Sequence, residues 1–199
     1  MWASGQVCEL REVVLARKPA ALLAASAKGT VPVLVLQGGQ VIEQSLEIML
    51  WALRQHDPLD WLRDGAQQPD MLRWVSECDG TFKFHLDRYK YPNRFDLSEG
   101  ADHRAQGAVF LDSLNERLCH SSHVIGNSES MADMAIAPFV RQFAHTDAAW
   151  FTRQSWPALQ TWLVNFETSN AYQQVMRAHA AWVPGQLPML FPQTDFAII

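Results

Sequence analysis

The pattern of apolar and polar positions is most informative over residues 28–53, where it predicts a strand, a turn, a second strand and a helix in succession. Residues 33–36 are all aliphatic, which is typical of a buried strand. Gly38-Gly39 follows, and glycines supply the positive φ angles of a two-residue hairpin turn. Residues 41–43 are therefore predicted to return antiparallel to the first strand.

A helix is predicted directly after this hairpin, with Ser45 as its N-cap, because a serine hydroxyl can accept a hydrogen bond from the first helical turn. Apolar residues then recur at i, i+3, i+4 and i+7, which is the spacing of one helix face. These residues are Leu46, Met49, Leu50 and Leu53. The helix is therefore expected to be amphipathic and to pack through a single face.

The pattern changes after a cluster of Pro, Gly and Asp residues at 57–69, which predicts a linker between a first domain, residues 1–56, and a second, residues 70–199. Two helical stripes follow the linker. The first contains Met71, Val75, Cys78, Phe82, Leu86 and Tyr89, and the second contains Ala101, Ala105, Ala108, Leu111, Leu114 and Leu118. The alanines of the second stripe are expected to let the two helices pack closely. The second domain is thus predicted to be all-helical.

Two further helix starts and a tail complete the pattern. Ser130 and Asp133 have the three-residue spacing of an N-capping pair, and Pro157 suits a first helical turn. Residues 180–199 form an apolar, proline-containing tail that is expected to dock on the helices.

Composition excludes several classes of partner. The formal net charge is -5 and no run of Lys or Arg occurs, so neither nucleic acid nor an anionic membrane is an expected ligand. No apolar run approaches the roughly 20 residues that span a bilayer. The three cysteines are odd in number and unclustered, which is typical of a reducing compartment without a disulfide scaffold. The sequence therefore predicts a cytoplasmic globular protein that binds small molecules or other proteins.

Several motifs, taken in order and spacing, give a resemblance to a known family. They are Val31-Pro32, Gln44-Ser45, residues 130–133 and residues 156–163. With these motifs, the chain resembles the glutathione transferase superfamily of the bacterial cytosolic type over roughly residues 6–180. The resemblance implies an α/β thioredoxin-like N-terminal domain that binds glutathione, followed by an all-α C-terminal domain. It also implies a homodimer and a small electrophilic or disulfide substrate.

The resemblance implies a glutathione site formed by Lys28, Val31, Pro32, Gln44 and Ser45. In the family the proline is cis, so that the preceding backbone, here Val31, pairs with the cysteinyl backbone of glutathione as a short added strand. The γ-glutamyl carboxylate would lie at the N-terminus of the Ser45 helix, where free N–H groups favour an anion. Gln44 replaces the acidic residue common at this position, so it can hydrogen-bond the ligand's ammonium only without charge assistance.

The resemblance also raises an expectation about the start of the chain. Family members open with a strand and a helix whose N-terminus carries the Cys, Ser or Tyr that acts on the glutathione sulfur, whereas residues 1–5 here resemble only the last turn of that helix. We therefore expect the first strand, most of the first helix and the nucleophile to be encoded upstream. The 199-residue chain as written is then expected to bind glutathione poorly and to have little transferase activity.

Other candidate sites have simpler explanations. Cys8 lies in residues 7–14, predicted to be a strand, and has neither a helix N-terminus nor a second nearby cysteine to lower its pKa, so it is interpreted as structural. Residues 119–123 offer Cys119, His120 and His123 at a helix end, but zinc sites need four ligands and no second cluster is present. No metal is therefore expected.

Three hypotheses for function follow. The first is a cytosolic glutathione transferase or glutathione-dependent thiol reductase, with glutathione as co-substrate. The second is a transferase fold that serves as a non-catalytic binding module, as in the stringent starvation proteins that contact RNA polymerase. The third is an inactive remnant. The second substrate cannot be named, because side chains of variable helices rather than a motif would build its pocket.

Overall fold

The computed structural model describes residues 1–193, and most of this chain is helical. The helices, numbered in chain order, are α1 Ala20–Ala25, α2 Ser45–Gln55, α3 Gln67–Glu77, α4 Lys83–Lys90, α5 Ala101–His120, α6 Met131–Thr146, α7 Ala148–Thr152, α8 Pro157–Thr168 and α9 Asn170–Val175. The strands are β1 Cys8–Glu9, β2 Leu34–Val35, β3 Val41–Ile42 and β4 Leu190–Phe191. They form two separate antiparallel pairs, β1 with β4 and β2 with β3.

The predicted hairpin forms with a longer loop than expected. Leu34 pairs with Ile42, and the Leu36 N–H donates to the Gln40 carbonyl over 2.8 Å. Three residues, 37–39, therefore form the loop instead of two. Within it only Gly39 has a positive φ, of 84°. A three-residue hairpin loop needs this left-handed conformation at a single position, so the second glycine is the one that the loop requires.

The C-terminal tail pairs with the first strand. Cys8 is opposite Phe191, and the Leu10 N–H donates to the Met189 carbonyl over 2.7 Å. Further along, the guanidinium of Arg11 lies 4.7 Å from the ring centre of Trp182. The tail was predicted to dock on the helices, and this prediction is wrong over residues 182–191, because an unpaired strand offers backbone partners that a helix face lacks.

The helical core follows the first predicted stripe. Helix α3 continues through a π-helical turn, Cys78–Phe82, into α4, and all six residues of the stripe are buried. At the centre of this core the Phe82 ring stacks on Phe110, with centroids 4.7 Å apart, and contacts Phe143 at 5.6 Å. The prediction of an apolar face across residues 71–89 is confirmed.

The second stripe is only partly correct. Leu111, Leu114 and Leu118 are buried, whereas Ala105 is exposed. The small residue at the close approach is Gly107, where an added Cβ would lie 2.8 Å from the Phe143 ring. A helix face repeats every 3.6 residues, so the buried line through the leucines reaches Gly107 rather than Ala105.

The chain divides into two compact units. One, called here the strand unit, comprises Met1–Leu62 with the segment from Gln173 onward, and the other, the helical unit, comprises Arg63–Tyr172. Helix α3 begins at Gln67, inside the predicted linker at 57–69. The domain limits of 1–56 and 70–199 remain a prediction, and the tail strand is grouped with the first unit.

Candidate functional site

The hairpin brings two of the predicted site motifs to the same end of the strands. The β2–β3 register pairs Leu34 with Ile42. Continuing this register beyond the ladder aligns Pro32 with Gln44, the residue before α2. The loop that enters β2 and the N-terminus of α2 therefore lie side by side. This juxtaposition is the basis of the candidate site in the strand unit.

The N-terminus of α2 is open to solvent. Gln44 has extended angles, with φ -103° and ψ 135°, and its carbonyl accepts from the Ile48 N–H over 2.9 Å. Gln44 is therefore the N-cap, and the prediction of Ser45 as N-cap is wrong by one residue. Both residues are exposed, and within residues 1–193 neither side chain caps the helix. The first N–H groups of α2 are thus available to an anion.

Val31 precedes a cis peptide bond to Pro32, and its residue surface is 45% exposed. Within residues 1–193 its backbone N–H and carbonyl have no hydrogen-bond partner. An extended peptide segment can use such free groups as it would a strand edge. The Val31 backbone is therefore available at the position where the family resemblance implies that it pairs with glutathione.

Lys28 is linked to the helix start through a residue that the sequence reasoning missed. Its ammonium lies 3.8 Å from Glu43 Oε2, and the Ser26 hydroxyl donates to the other carboxylate oxygen, Glu43 Oε1. Glu43 directly precedes the N-cap of α2. No local pattern signals this contact, because the residues it joins are far apart in the chain and belong to different elements. All five predicted site residues therefore lie in two adjacent segments, residues 26–32 and 43–45.

Cys8 and Cys78 have little thiolate character in this environment. Burial raises the pKa of Cys8, although the positive N-terminus nearby opposes the shift. Burial also raises the pKa of Cys78, and the charge of Asp79 adds to the shift. Because the thiolate is the nucleophilic form, these two residues are poor nucleophiles. Cys119 is exposed near the end of α5.

His123, from the group of Cys and His residues at 119–123, contacts the capping residue Asp133 of α6. Its Nδ1 lies 3.5 Å from Asp133 Oδ1, and the interaction with the Asp133 carboxylate raises the pKa of this histidine. Across residues 1–193, no group of three or more His, Cys, Asp or Glu side chains is placed to hold a metal ion. The same part of the chain contains no helix that is both long and apolar enough to cross a membrane.

Comparisons with known proteins identify others with the same fold. Residues 3–60 match the family model of the glutathione S-transferase N-terminal domain. A class Gtt2 glutathione S-transferase from Vibrio parahaemolyticus is similar in structure, at TM-score 0.66 and 16% identity, over 78% of this chain and 76% of that one. For a Rhodospirillum rubrum glutathione S-transferase these values are 0.67, 17%, 88% and 81%. For Gtt2 from Saccharomyces cerevisiae they are 0.61, 19%, 79% and 80%. A search of curated proteins gave no match.

The architecture of these relatives accounts for both parts of the chain. The matched segment, residues 3–60, covers β1, the hairpin and α2, while the structural similarity extends through the helices that follow. The strand unit is therefore a thioredoxin-like N-terminal domain with small sheets, and the rest is a helical C-terminal region. Residues 3–60 therefore match a glutathione S-transferase N-terminal domain, and the described chain has the fold of these glutathione S-transferases.

Proposed function

We propose that this protein binds glutathione at the hairpin end of the strand unit and uses it to conjugate small electrophiles or to reduce mixed disulfides. The observation that supports this most directly is the open N-terminus of α2 beside the free backbone of Val31. One offers N–H groups for a carboxylate, and the other offers a strand edge for a peptide. Glutathione presents both groups in one molecule.

Each predicted residue has a distinct part in binding. The Val31 N–H and carbonyl pair with the cysteinyl backbone, which directs the thiol along the edge of β2. The γ-glutamyl carboxylate accepts hydrogen bonds from the first turn of α2 and from the Ser45 hydroxyl, and Gln44 accepts from the γ-glutamyl ammonium. Lys28 is exposed and attracts the carboxylates of the ligand, partly offset by Glu43. We assign no catalytic residue, because burial suppresses the thiolates of Cys8 and Cys78.

The same cysteine environments favour a second candidate function. A transferase fold without an activated nucleophile can still present its surface to a protein partner, as the stringent starvation proteins do. A homodimer in the cytoplasm is proposed for either function. The two candidates differ in whether glutathione is consumed. Turnover with a chlorinated aromatic electrophile or a glutathione mixed disulfide supports the first, and glutathione binding without turnover supports the second.

Calorimetric titration at millimolar glutathione tests the site itself. Ser45→Ala removes a donor to the carboxylate, so affinity should fall about tenfold, as expected for a hydrogen bond to a charged group. Cys8→Ala removes a small, half-buried thiol and should leave the affinity unchanged. Equal affinities for the wild type and both variants would mean that glutathione binds elsewhere or not at all.

A further inference from the structure

Glu43 joins the loop before β2 to the start of α2. The Ser26 hydroxyl donates to its Oε1, and Lys28 forms an ion pair with its Oε2. Ser26 is 2% exposed, so the serine side of this hydrogen bond is shielded from water, whereas the lysine is largely exposed. The serine contact is therefore the stronger of the two, because solvent screens exposed ion pairs.

Ser26 is itself fixed by the backbone around it. Its N–H donates to the Leu22 carbonyl at the C-terminus of α1, and its carbonyl accepts from the Gly29 N–H, both over 2.9 Å. Gly29 has a φ of 58°, and an added Cβ there would lie 2.8 Å from the Leu23 side chain. The turn at residues 26–29 is consequently tight, and Glu43 is anchored to a well-defined point.

The Glu43 carboxylate is engaged within the protein, since both of its oxygens have partners in residues 26–28. Its effect is geometric, since it fastens residues 26–32 to helix α2, which begins two residues later. The loop carries the Val31 backbone, and the helix carries Ser45.

We propose that Glu43 is a positioning residue, which holds the Val31 backbone and the α2 N-terminus at the spacing that glutathione requires. This inference rests on the proposed function. A tripeptide that contacts two separate segments binds best when their spacing is already set, because ordering them on binding costs affinity. Glu43 and Ser26 supply this order before the ligand arrives.

Hydrogen exchange without ligand tests the geometric part. Glu43→Ala and Ser26→Ala should each accelerate exchange of the amides of residues 27–34, by about tenfold, because either change breaks the same partly buried hydrogen bond. Glu47→Gln is the matched control, because Glu47 is an exposed carboxylate in the first turn of α2. Unchanged exchange in Glu43→Ala, or equal acceleration in Glu47→Gln, would overturn the proposal.

Calorimetric titration with glutathione tests the consequence. Glu43→Ala and Ser26→Ala should each weaken binding about tenfold, and the double variant should be no weaker than either single one. Glu43→Gln keeps an oxygen acceptor for Ser26 and should retain most of the affinity, which a simple charge effect would not allow. If the wild type binds but Glu43→Ala binds equally well, the positioning role fails alone. If the wild type does not bind glutathione, the proposed function itself fails.

Discussion

The strand unit and the helical unit differ sharply in how they bury their apolar side chains. The largest side chains that are fully buried all belong to the helical unit, among them Phe82, Phe143 and Met131. In the strand unit the valines of the two-residue strands β2 and β3, Val35 and Val41, remain exposed. The same chain thus contains a well-packed helical core and a sheet whose outward residues find little cover.

The physical origin of this difference is the range of the hydrogen bonds. A helix satisfies its backbone within four residues, whereas a strand needs a partner that the chain must bring from elsewhere. In the helical unit, apolar stripes at 3.6-residue spacing then pack against each other. In the strand unit, β1 depends on residues almost the full chain length away. Stability is therefore expected to be concentrated in the helical unit, and the predictions below test this expectation.

The largest expected effect is at Asp133, the buried carboxylate at the start of α6. It accepts from the Val124 N–H at 3.0 Å, the Ser130 hydroxyl at 2.7 Å and the Trp162 indole at 2.8 Å. Burial alone would raise its pKa, but these hydrogen bonds and His123 lower it. Asp133→Ala leaves all these donors unpaired and should reduce the free energy of unfolding by about 3 to 5 kcal/mol.

Urea denaturation followed by circular dichroism measures this loss. Asp102→Ala is the matched control, since Asp102 is an exposed carboxylate in the first turn of α5. The control should change the free energy of unfolding by less than about 1 kcal/mol. Similar losses in both variants would show that the buried network does not stabilise the helical unit, and the contrast between the units would lose its main support.

A smaller effect is expected from removing the tail strand. Deletion of residues 180–199 removes the Leu10–Met189 hydrogen bond, the hydrogen bond from the Trp182 N–H to the Glu12 carbonyl at 2.9 Å, and the stacking of Arg11 on Trp182. The strand unit should lose about 2 to 3 kcal/mol, from two or three hydrogen bonds and one cation–π contact. Hydrogen exchange at residues 8–12 should accelerate, whereas residues 71–89 should keep their protection.

Deletion of residues 194–199 alone is the control, because it leaves every one of these contacts in place. It should preserve the protection of residues 8–12. If the longer deletion left that protection unchanged as well, β4 would contribute nothing to the stability of β1. The strand unit would then not depend on a partner strand from the distant end of the chain.

The sequence predicted the parts of the fold that depend on local pattern. The stripe from Met71 to Tyr89, the hairpin around Gly39 and the capping pair at Ser130 all follow from spacing along a short stretch of chain. The pairing of β1 with β4 does not, because a two-residue strand has no periodicity to recognise and its partner is far away in sequence. Strand pairing of this kind is a property of the folded chain rather than of any window within it.

The candidate site was predictable to the same degree. Family motifs led to Val31, Pro32, Gln44 and Ser45, and the hairpin register brings these residues together. The sequence did not predict the role of Glu43. Its partner, Ser26, belongs to another element, and no local spacing of residues signals the hydrogen bond between them. Motifs therefore indicate which residues contact a ligand, whereas residues that position the motifs require the three-dimensional structure.

A further prediction separates capping from ligand binding. Ser130 lies in the helical unit and, with Asp133, forms a capping box at the start of α6. Ser130→Ala removes one hydrogen bond of this cap and should cost about 1 kcal/mol of stability. The affinity for glutathione should not change, because the proposed site lies in the strand unit. A large loss of affinity at an unchanged melting temperature would contradict this separation.

The smallest expected effect is a pH dependence within the helical unit, at a pair of histidines on α4 and α5. His85 Nδ1 and His103 Nδ1 are 2.8 Å apart, and Arg88 lies close by. Burial, followed by the charges of His103 and Arg88, lowers the pKa of His85. A histidine whose pKa is lowered in the folded state favours the neutral form there. Its contribution to the stability of the folded state is therefore present above the ordinary pKa of about 6.5 and is lost as the pH falls.

His103→Asn removes the His103 imidazole, whose charge helps to lower the pKa of His85. This variant should therefore lose less stability than the wild type between pH 8 and pH 5.5. Urea denaturation at both pH values measures the difference, which should be smaller than the effect of Ser130→Ala because His85 is only partly buried. His120→Asn, an exposed histidine at the end of α5, is the control and should follow the wild type. Should the wild type and His103→Asn lose equal stability on acidification, the close approach of the two imidazoles would have no energetic consequence, and the helical unit would be insensitive to pH at this contact.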